Sequence, residues 1–461
     1  MARVALINPP YNMSQKNIWR LVGGVLPPIG LSYIAGALDA QGHVVAFIDA
    51  NAEKLAERAV VDRVKAFKPD LIGVTSNSVN IAYSLGLADY LKKERPSWPI
   101  AFGGVHPTVM PEEVLASPAV DFVFRGEGEN GVPRLAAGES PESIPGLSYK
   151  KDGLPVHNEP AVSQTNLDDY PFPPYHMMPV GLYRPSLGNY KRLPAMGIVS
   201  SRGCPGKCVF CFSGSMGQGR VRYRSAENIV EEIELLHTGW NIKEFSFYDD
   251  NFTTSRKRVQ RFCELVLSKN IDMTWTCSSR VDTVDRELLR LMARSGCHQI
   301  SFGIESGDPE ILKTIRKQIN LEQALETIGA SRQCGIEPKI FLMLGNPGET
   351  EQSIRKTTDF ALKSKALGFI ISIATPYPGT EFYRWAKENG YLISEDWSIY
   401  EAVNGVMRLP TIENSLLISH YKRMQRTLHL QPHFLWHRAL KMNTWDEIKK
   451  NALGLRAVLG L

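Results

Sequence analysis

Three cysteines crowd into one short stretch of this chain: Ser201-Arg202-Gly203-Cys204-Pro205-Gly206-Lys207-Cys208-Val209-Phe210-Cys211. Thiolates are the ligands of iron–sulfur clusters. Gly203, Pro205 and Gly206 let the loop curl so that three sulfurs converge. Three thiolates on a four-iron cluster leave one iron without a protein ligand, and an open metal position is where chemistry can occur. The bland alternative is structural zinc, which usually takes four protein ligands. No fourth Cys or His lies nearby, because His176 and His237 fall in other segments. Cys263, Cys277, Cys297 and Cys334 are scattered singly, and a lone buried cysteine is by default a small hydrophobe. An odd total of seven cysteines is not a disulfide framework. It points to a metal site in a reduced, cytoplasmic compartment.

The elements that must position this loop follow from length and pattern. At 461 residues the chain is too long for one ordinary core; domains of about 100–200 residues predict two or three. The net charge of +5 is small and spread along the chain, so nucleic acid is not expected as a partner. Met1–Pro10 reads as a buried strand rather than a secretory signal. The apolar region from Val25 to Ala40 is broken by Pro27, Pro28, Gly30 and Asp39. No run of about 18 apolar residues predicts a transmembrane segment.

Residues 1–135 alternate strand and helix. The strand-like runs are Val4–Ile7, Val44–Ile48, Leu71–Thr75, Ile100–Phe102 and Phe122–Phe124, with helical patterns such as Asn51–Phe67 and Ser78–Lys93 between them. This predicts an α/β, doubly wound (Rossmann-like) parallel sheet whose ligands bind outside the carboxyl ends of its strands. Residues 136–194 read as a Pro-rich linker with a hairpin, Leu147–Tyr149 and Leu154–His157, around Asp152-Gly153. Residues 195–385 form a second βα series with six strands: Met196–Ser200, Glu244–Tyr248, Thr274–Ser278, Gln299–Ile304, Lys339–Leu344 and Phe369–Ala374. Six βα units, two short of a closed barrel, predict a partial TIM-like barrel with its site at the strands' carboxyl ends. Residues 386–461 read as a helical C-terminal region, whose basic and aromatic stretch Tyr421–His437 suits a packing helix with a solvated face.

A Cys-x-x-x-Cys-x-x-Cys loop after the first strand of a six-unit βα series resembles the radical S-adenosylmethionine superfamily, over about residues 195–385. The resemblance implies that Cys204, Cys208 and Cys211 hold a [4Fe–4S] cluster. Its open iron would chelate the amino and carboxylate groups of S-adenosylmethionine, whose cleavage yields a 5′-deoxyadenosyl radical. Phe210 matches the position that packs by the adenine. Asp249 and Asp250, Ser279 and Arg280, Glu305, and Asn346 end the second to fifth strands, where the family places cosubstrate contacts. A low-potential electron donor such as flavodoxin or ferredoxin is implied as partner. Singly, each residue could equally be turn or cap chemistry; the joint pattern carries the weight.

A doubly wound domain ahead of such a barrel resembles the cobalamin-binding class of that superfamily. The matching residues include Asn8-Pro9-Pro10, Pro27-Pro28-Ile29-Gly30, Val74-Thr75-Ser76, Gly103-Gly104-Val105-His106-Pro107 and Arg125-Gly126-Glu127-Gly128-Glu129. The resemblance implies cobalamin contacts from Asn8, Pro10, Ser76, Asn77, Gly103, Gly104, Val105, Arg125, Gly126 and Glu127. No Asp-x-His-x-x-Gly follows the first strand, so no lower cobalt ligand is offered there, and His106 reads as structural. The alternative is a vestigial or substrate-binding Rossmann-like domain.

Together these resemblances imply a cobalamin-dependent radical enzyme, most simply a methyltransferase acting on an unactivated carbon of a small or lipid-like biosynthetic intermediate. A radical oxidative cyclase has the same domain order. A non-catalytic corrinoid or iron–sulfur carrier would not need the polar strand-end set. A methylthiolating transfer-RNA enzyme would carry further cluster cysteines near its N-terminus, and residues 1–203 contain none.

Overall fold

The computed structural model describes residues 1–11, 17, 23–213, 219–442 and 445–459. The chain divides into two compact units: Met1–Asn12 with Val25–Tyr183 and Asp396–Ile399, and Met13–Gly24 with Arg184–Glu395 and Tyr400–Leu461.

The first unit is a seven-stranded sheet. Its strands are β1 (Arg3–Asn8), β2 (Val44–Asp49), β3 (Leu71–Thr75), β4 (Ile100–Gly103), β5 (Phe122–Phe124), β6 (Leu147–Lys151) and β7 (Leu154–His157), in the order β2-β1-β3-β4-β5-β6-β7. The first five pair in parallel. Helices on the faces leave no solvated side, which is why Val4, Ala5, Leu6 and Ile7 are all buried rather than alternating. The chain reverses direction of winding between β1 and β3, so the crevice outside their carboxyl ends is where such a sheet takes a ligand.

The hairpin corrects the expected linker. Strands β6 and β7 join the sheet antiparallel, β6 against β5, and the compact unit continues to Tyr183. The tight turn uses Asp152 and Gly153, both at positive φ (+52° and +81°), as the Asp-Gly pair favours. Two helices start later than their periodicity predicts. Asp49 accepts from the Ala52 amide and Asn77 from the Val79 and Asn80 amides. These side-chain turns compete with helix, and the helices begin at Glu57 and Ile81.

In the second unit, β8 (Ala195–Ile198), β11 (Glu244–Phe247), β12 (Thr274–Ser279), β13 (Cys297–Glu305), β14 (Glu337–Leu344) and β15 (Gly368–Ile373) form a six-stranded sheet in sequence order, parallel throughout. It is the open partial barrel that the pattern predicts. Short strands β9 (Ser201–Arg202) and β10 (Arg222–Tyr223) pair antiparallel beside it. Phe247, Phe252, Phe262 and Trp275 pack edge-on or tilted, with ring centroids 4.4–6.0 Å apart. The helix Ala226–Trp240 is capped by Ser225, which accepts from the Asn228 amide. Cys263, Cys277 and Cys297 are buried, and burial pushes the Cys263 thiol up to about 12, as expected of cysteines that pack as hydrophobes. C-terminal helices Asn414–His429, Pro432–Ala439 and Trp445–Leu459 complete the unit. Among the described residues no helix is long and apolar enough to cross a membrane.

Candidate active site

The cysteine loop leaves the carboxyl end of β8 and is closed at its base by the β9–β10 pair. Gly203 sits at φ +94°, where a Cβ would overlap the Arg220 carbonyl oxygen; only glycine lets the two sides of the loop meet. Inside the loop the Gly206 amide donates to Cys204 Sγ at 3.4 Å, and the Cys211 amide to the Cys208 carbonyl at 3.1 Å. The Val209 amide donates to the Ile315 carbonyl, and the Val209 carbonyl accepts from the Phe382 amide. A Cβ placed on Gly206 would lie 3.4 Å from Cys204 Sγ and 3.9 Å from both Cys208 Sγ and Arg280 Nη1. Two sulfurs and a guanidinium therefore surround one small volume. Among the described residues, no three Cys, His, Asp or Glu side chains gather as around a single ion. Three thiols without a fourth ligand are the donor set of a cluster with one open iron.

Burial pushes the Cys204 and Cys208 thiols up, and Asp250 adds to this at Cys204. Two cations act in the opposite sense. Arg280 lies near both sulfurs and Lys317 near Cys208. Arg280 is fixed by Asp282, at 2.9 and 2.7 Å, and by the Lys317 and Gln318 carbonyls, at 3.3 and 2.9 Å. Lys317 Nζ pairs with Glu305 Oε1 at 3.0 Å, both side chains nearly enclosed. Burial would lower the Lys317 ammonium, but Glu305 and Cys208 outweigh it and hold it above its ordinary value. Glu305 sits at φ +69° where the β13–β14 register shifts. A Cβ on Gly303 would come within 2.6 Å of both Glu305 Oε1 and Lys317 Nζ. Lys317 was not foreseen. It lies in the turn after the helix Pro309–Thr314, and nothing local in Arg316-Lys317-Gln318 signals its return to a strand end.

At the carboxyl ends of the first sheet the groups are mostly neutral. Ser76 Oγ donates to Asn80 Oδ1 at 2.9 Å and lies 3.2 Å from Ser84 Oγ. Asn77 is exposed with its oxygen in the turn above. Gly103 and Gly126 have open space where a Cβ would stand, while a Cβ on Gly104 (φ +102°) would overlap the Ser76 carbonyl oxygen. Val105 is an exposed apolar side chain and Pro10 is half-buried. This is a small-residue cradle at the carboxyl ends of parallel strands, where such sheets take ligands. Asn8 is turned to Asp49, at 2.8 Å, and Arg125 to the Asn158 carbonyl. Glu127 accepts from the Tyr170 hydroxyl at 3.4 Å. His106 is fully buried, 3.1 Å from Ser78 Oγ and edge-on to Trp397, in keeping with a structural role.

The family model of the radical SAM superfamily matches residues 198–361, and that of the B12 binding domain matches residues 18–136. Uncharacterized methyltransferase PH0819 of Pyrococcus horikoshii is 32% identical over 438 residues, covering 94% of each chain. The chain belongs to the radical SAM superfamily. Anaerobic magnesium-protoporphyrin IX monomethyl ester cyclase of Synechocystis is 29% identical, over 94% of this chain and 87% of its own. The fold is similar to that of TsrM, a radical S-adenosylmethionine methyltransferase from Kitasatospora setae (TM-score 0.73, 17% identity, 100% of this chain and 99% of that one). As a radical SAM enzyme with a B12 binding domain, the chain uses a [4Fe–4S] cluster, S-adenosylmethionine and cobalamin. Enzymes of this superfamily act on small-molecule substrates and need a reductant.

Within the radical SAM unit, three expected cosubstrate contacts are committed elsewhere. Asp249 is 3% exposed; it accepts from the Ser200 amide (2.7 Å), Ser200 Oγ (2.6 Å) and Ser201 Oγ (2.5 Å), with Arg258 3.5 Å away. Its carboxylate is filled by the strand that launches the cysteine loop. Ser279 Oγ lies 2.5 Å from Thr253 Oγ1 and donates to the Arg280 carbonyl. Asn346 is wholly buried, its amide nitrogen donating to the Met343 carbonyl and Glu349 Oε2, while its Oδ1 has no hydrogen-bond partner among the described residues. These three hold strand ends in place. Asp250 is different: it is exposed, accepts from Ser213 Oγ at 2.7 Å and acts on Cys204. Phe210 is half-buried in the loop. Cys204, Cys208 and Cys211, with Arg280, Glu305 and Lys317, are the set that the fold brings together.

Proposed function

We propose that the chain is a cobalamin-dependent radical SAM methyltransferase that alkylates an unactivated carbon of a small or lipid-like biosynthetic intermediate. It would work in the cytoplasm, with electrons from a low-potential donor such as flavodoxin or ferredoxin. The observation that carries the reading is the convergence of Cys204 Sγ, Cys208 Sγ and Arg280 on one point at the carboxyl end of the barrel, in a chain that also has a B12 binding domain. When bound, the cluster and S-adenosylmethionine supply a radical that removes a hydrogen atom, and cobalamin supplies a methyl group.

The chain's own residues position these groups and exclude competing donors. Cys204, Cys208 and Cys211 would hold the cluster. Arg280 and Lys317 would keep the thiolates charged, against the burial that disfavours charge. Glu305, oriented by Lys317, and Asp250 would face the polar parts of S-adenosylmethionine, and Phe210 its adenine. Gly103, Gly104 and Gly126 would leave room for the cobalamin tail, bordered by Ser76, Asn77, Val105 and Pro10, with Asn8, Arg125 and Glu127 behind as scaffold.

The cyclase relative favours one second reading, ring formation without methylation. The holoenzyme, given S-adenosylmethionine with a deuterated methyl group and a small-molecule extract, should put the label into a product. An unlabelled product that has lost hydrogen would favour the cyclase. Cys208→Ala should abolish 5′-deoxyadenosine formation in either case, and retained cleavage would refute the cluster assignment.

A further inference from the structure

At the end of the barrel opposite the cysteine loop lies a cavity of about 400 Å³, within the range of small-molecule sites. Its walls come from the first residues of β13, β14 and β15 and from the C-terminal helices. Most of the lining is apolar. Phe369 and Phe434 stand 5.9 Å apart, with His429 edge-on to both. Among the described lining residues there are four lysines and arginines, Lys339, Lys441, Arg438 and Lys450, against one carboxylate, Glu337.

That carboxylate is already engaged. Glu337 accepts from Lys441 and lies 3.3 Å from His437 Nε2. Burial would raise it, but its hydrogen bonds to these two side chains and the Lys441 charge hold it at about 2. Lys339 is in the opposite situation. Among the described residues its hydrogen-bond partner is the neutral amide oxygen of Asn189. It is deeply enclosed, and keeps accessible surface where it lines the cavity. Burial, and then Arg438, outweigh the Glu337 carboxylate and push its ammonium down to about 7. Two glycines make the space: a Cβ on Gly368 would lie 3.1 Å from Lys339 Cε, and one on Gly188 would overlap the Arg438 guanidinium. Glu337 also acts on Lys339 but is bonded to Lys441; an enclosed ammonium with no carboxylate bonded to it is costly, and an entering anion would offset that cost.

We propose that this cavity binds an anionic amphiphile, a single acidic head group on an apolar body, with the head at Lys339 and Arg438 and the body against Phe369 and Phe434. The site is separate from the one that performs the radical chemistry. A fluorescent carboxylate, 11-(dansylamino)undecanoate, titrated into the holoenzyme should show saturable binding. Decanoate or decyl phosphate should displace it, their order identifying the head group, and decanol should not. Lys339→Met and Arg438→Met should each weaken the probe at least tenfold, with iron content and 5′-deoxyadenosine formation unchanged; Lys339→Arg should restore binding. Absence of probe binding, displacement by decanol as effective as by decanoate, or parental affinity in both methionine variants would overturn the proposal. Should one methionine variant fail to fold, the other and the competitor series still decide it.

Discussion

The carboxyl end of the six-stranded sheet presents charge: Arg280, Lys317 and Glu305 are bonded to fixed partners and act on the cysteine sulfurs. The carboxyl ends of β3 and β4 present room: Gly103 is open, Gly104 admits no side chain, and the polar groups of Ser76 and Asn77 are satisfied locally. Both sets of strands pair in parallel and are read at the same end. On the proposed function, the difference follows from what each would hold. Buried thiolates need nearby cations to remain charged, whereas a large nucleotide-like tail needs close approach of backbone and an absence of side chains.

The comparison breaks most visibly at Gly103. It is not at a positive φ, and nothing stands within 4 Å of where a Cβ would go. Gly103→Leu should therefore fold with an unchanged melting temperature, yet lose cobalamin at least tenfold in a corrinoid-binding titration and abolish methyl transfer, while 5′-deoxyadenosine formation persists. Normal cobalamin uptake would show that the cradle lies elsewhere.

A smaller effect should follow from Arg280→Met, which removes a fixed cation near two sulfurs. The reduced cluster carries more negative charge, so losing the cation should move its potential to more negative values. By the one-electron relation, on the order of 60 mV accompanies each tenfold change. An EPR-monitored redox titration reads this, and an unmoved potential would mean that the guanidinium serves only Asp282 and the two carbonyls.

The smallest effect belongs to Ser279→Ala. Its hydroxyl bonds to Thr253 and the Arg280 carbonyl, so the loss should be about 1 kcal/mol of stability, measured by thermal melting. The KM for S-adenosylmethionine should stay within twofold. A KM raised tenfold would return Ser279 to the cosubstrate.

Much of this arrangement was legible in the sequence. The first five strands of the N-terminal sheet follow from short apolar runs, as expected where both faces are covered, and the six barrel strands from short β-prone segments between helical patterns, several of which also bury polar residues such as Ser246, Thr276 and Gln299. The cysteine loop is local and needed no tertiary information. What was illegible is tertiary. The hairpin at Asp152-Gly153 is written in its turn residues, but the sheet edge it pairs with is not. Asp249 and Asp250 are adjacent and chemically identical, and only the fold sends one to Ser200 and Ser201 and the other toward Cys204. Lys317 reaches the cysteines by a pairing with Glu305 that spans a helix and a turn.

The most direct test is anaerobic reconstitution of the full chain with iron, sulfide and cobalamin, followed by metal analysis, a corrinoid spectrum and reduction in the presence of S-adenosylmethionine. The account predicts about four irons per chain, a bound corrinoid and 5′-deoxyadenosine. A product holding only zinc, or a well-folded protein that takes up the cluster but no corrinoid, would contradict it.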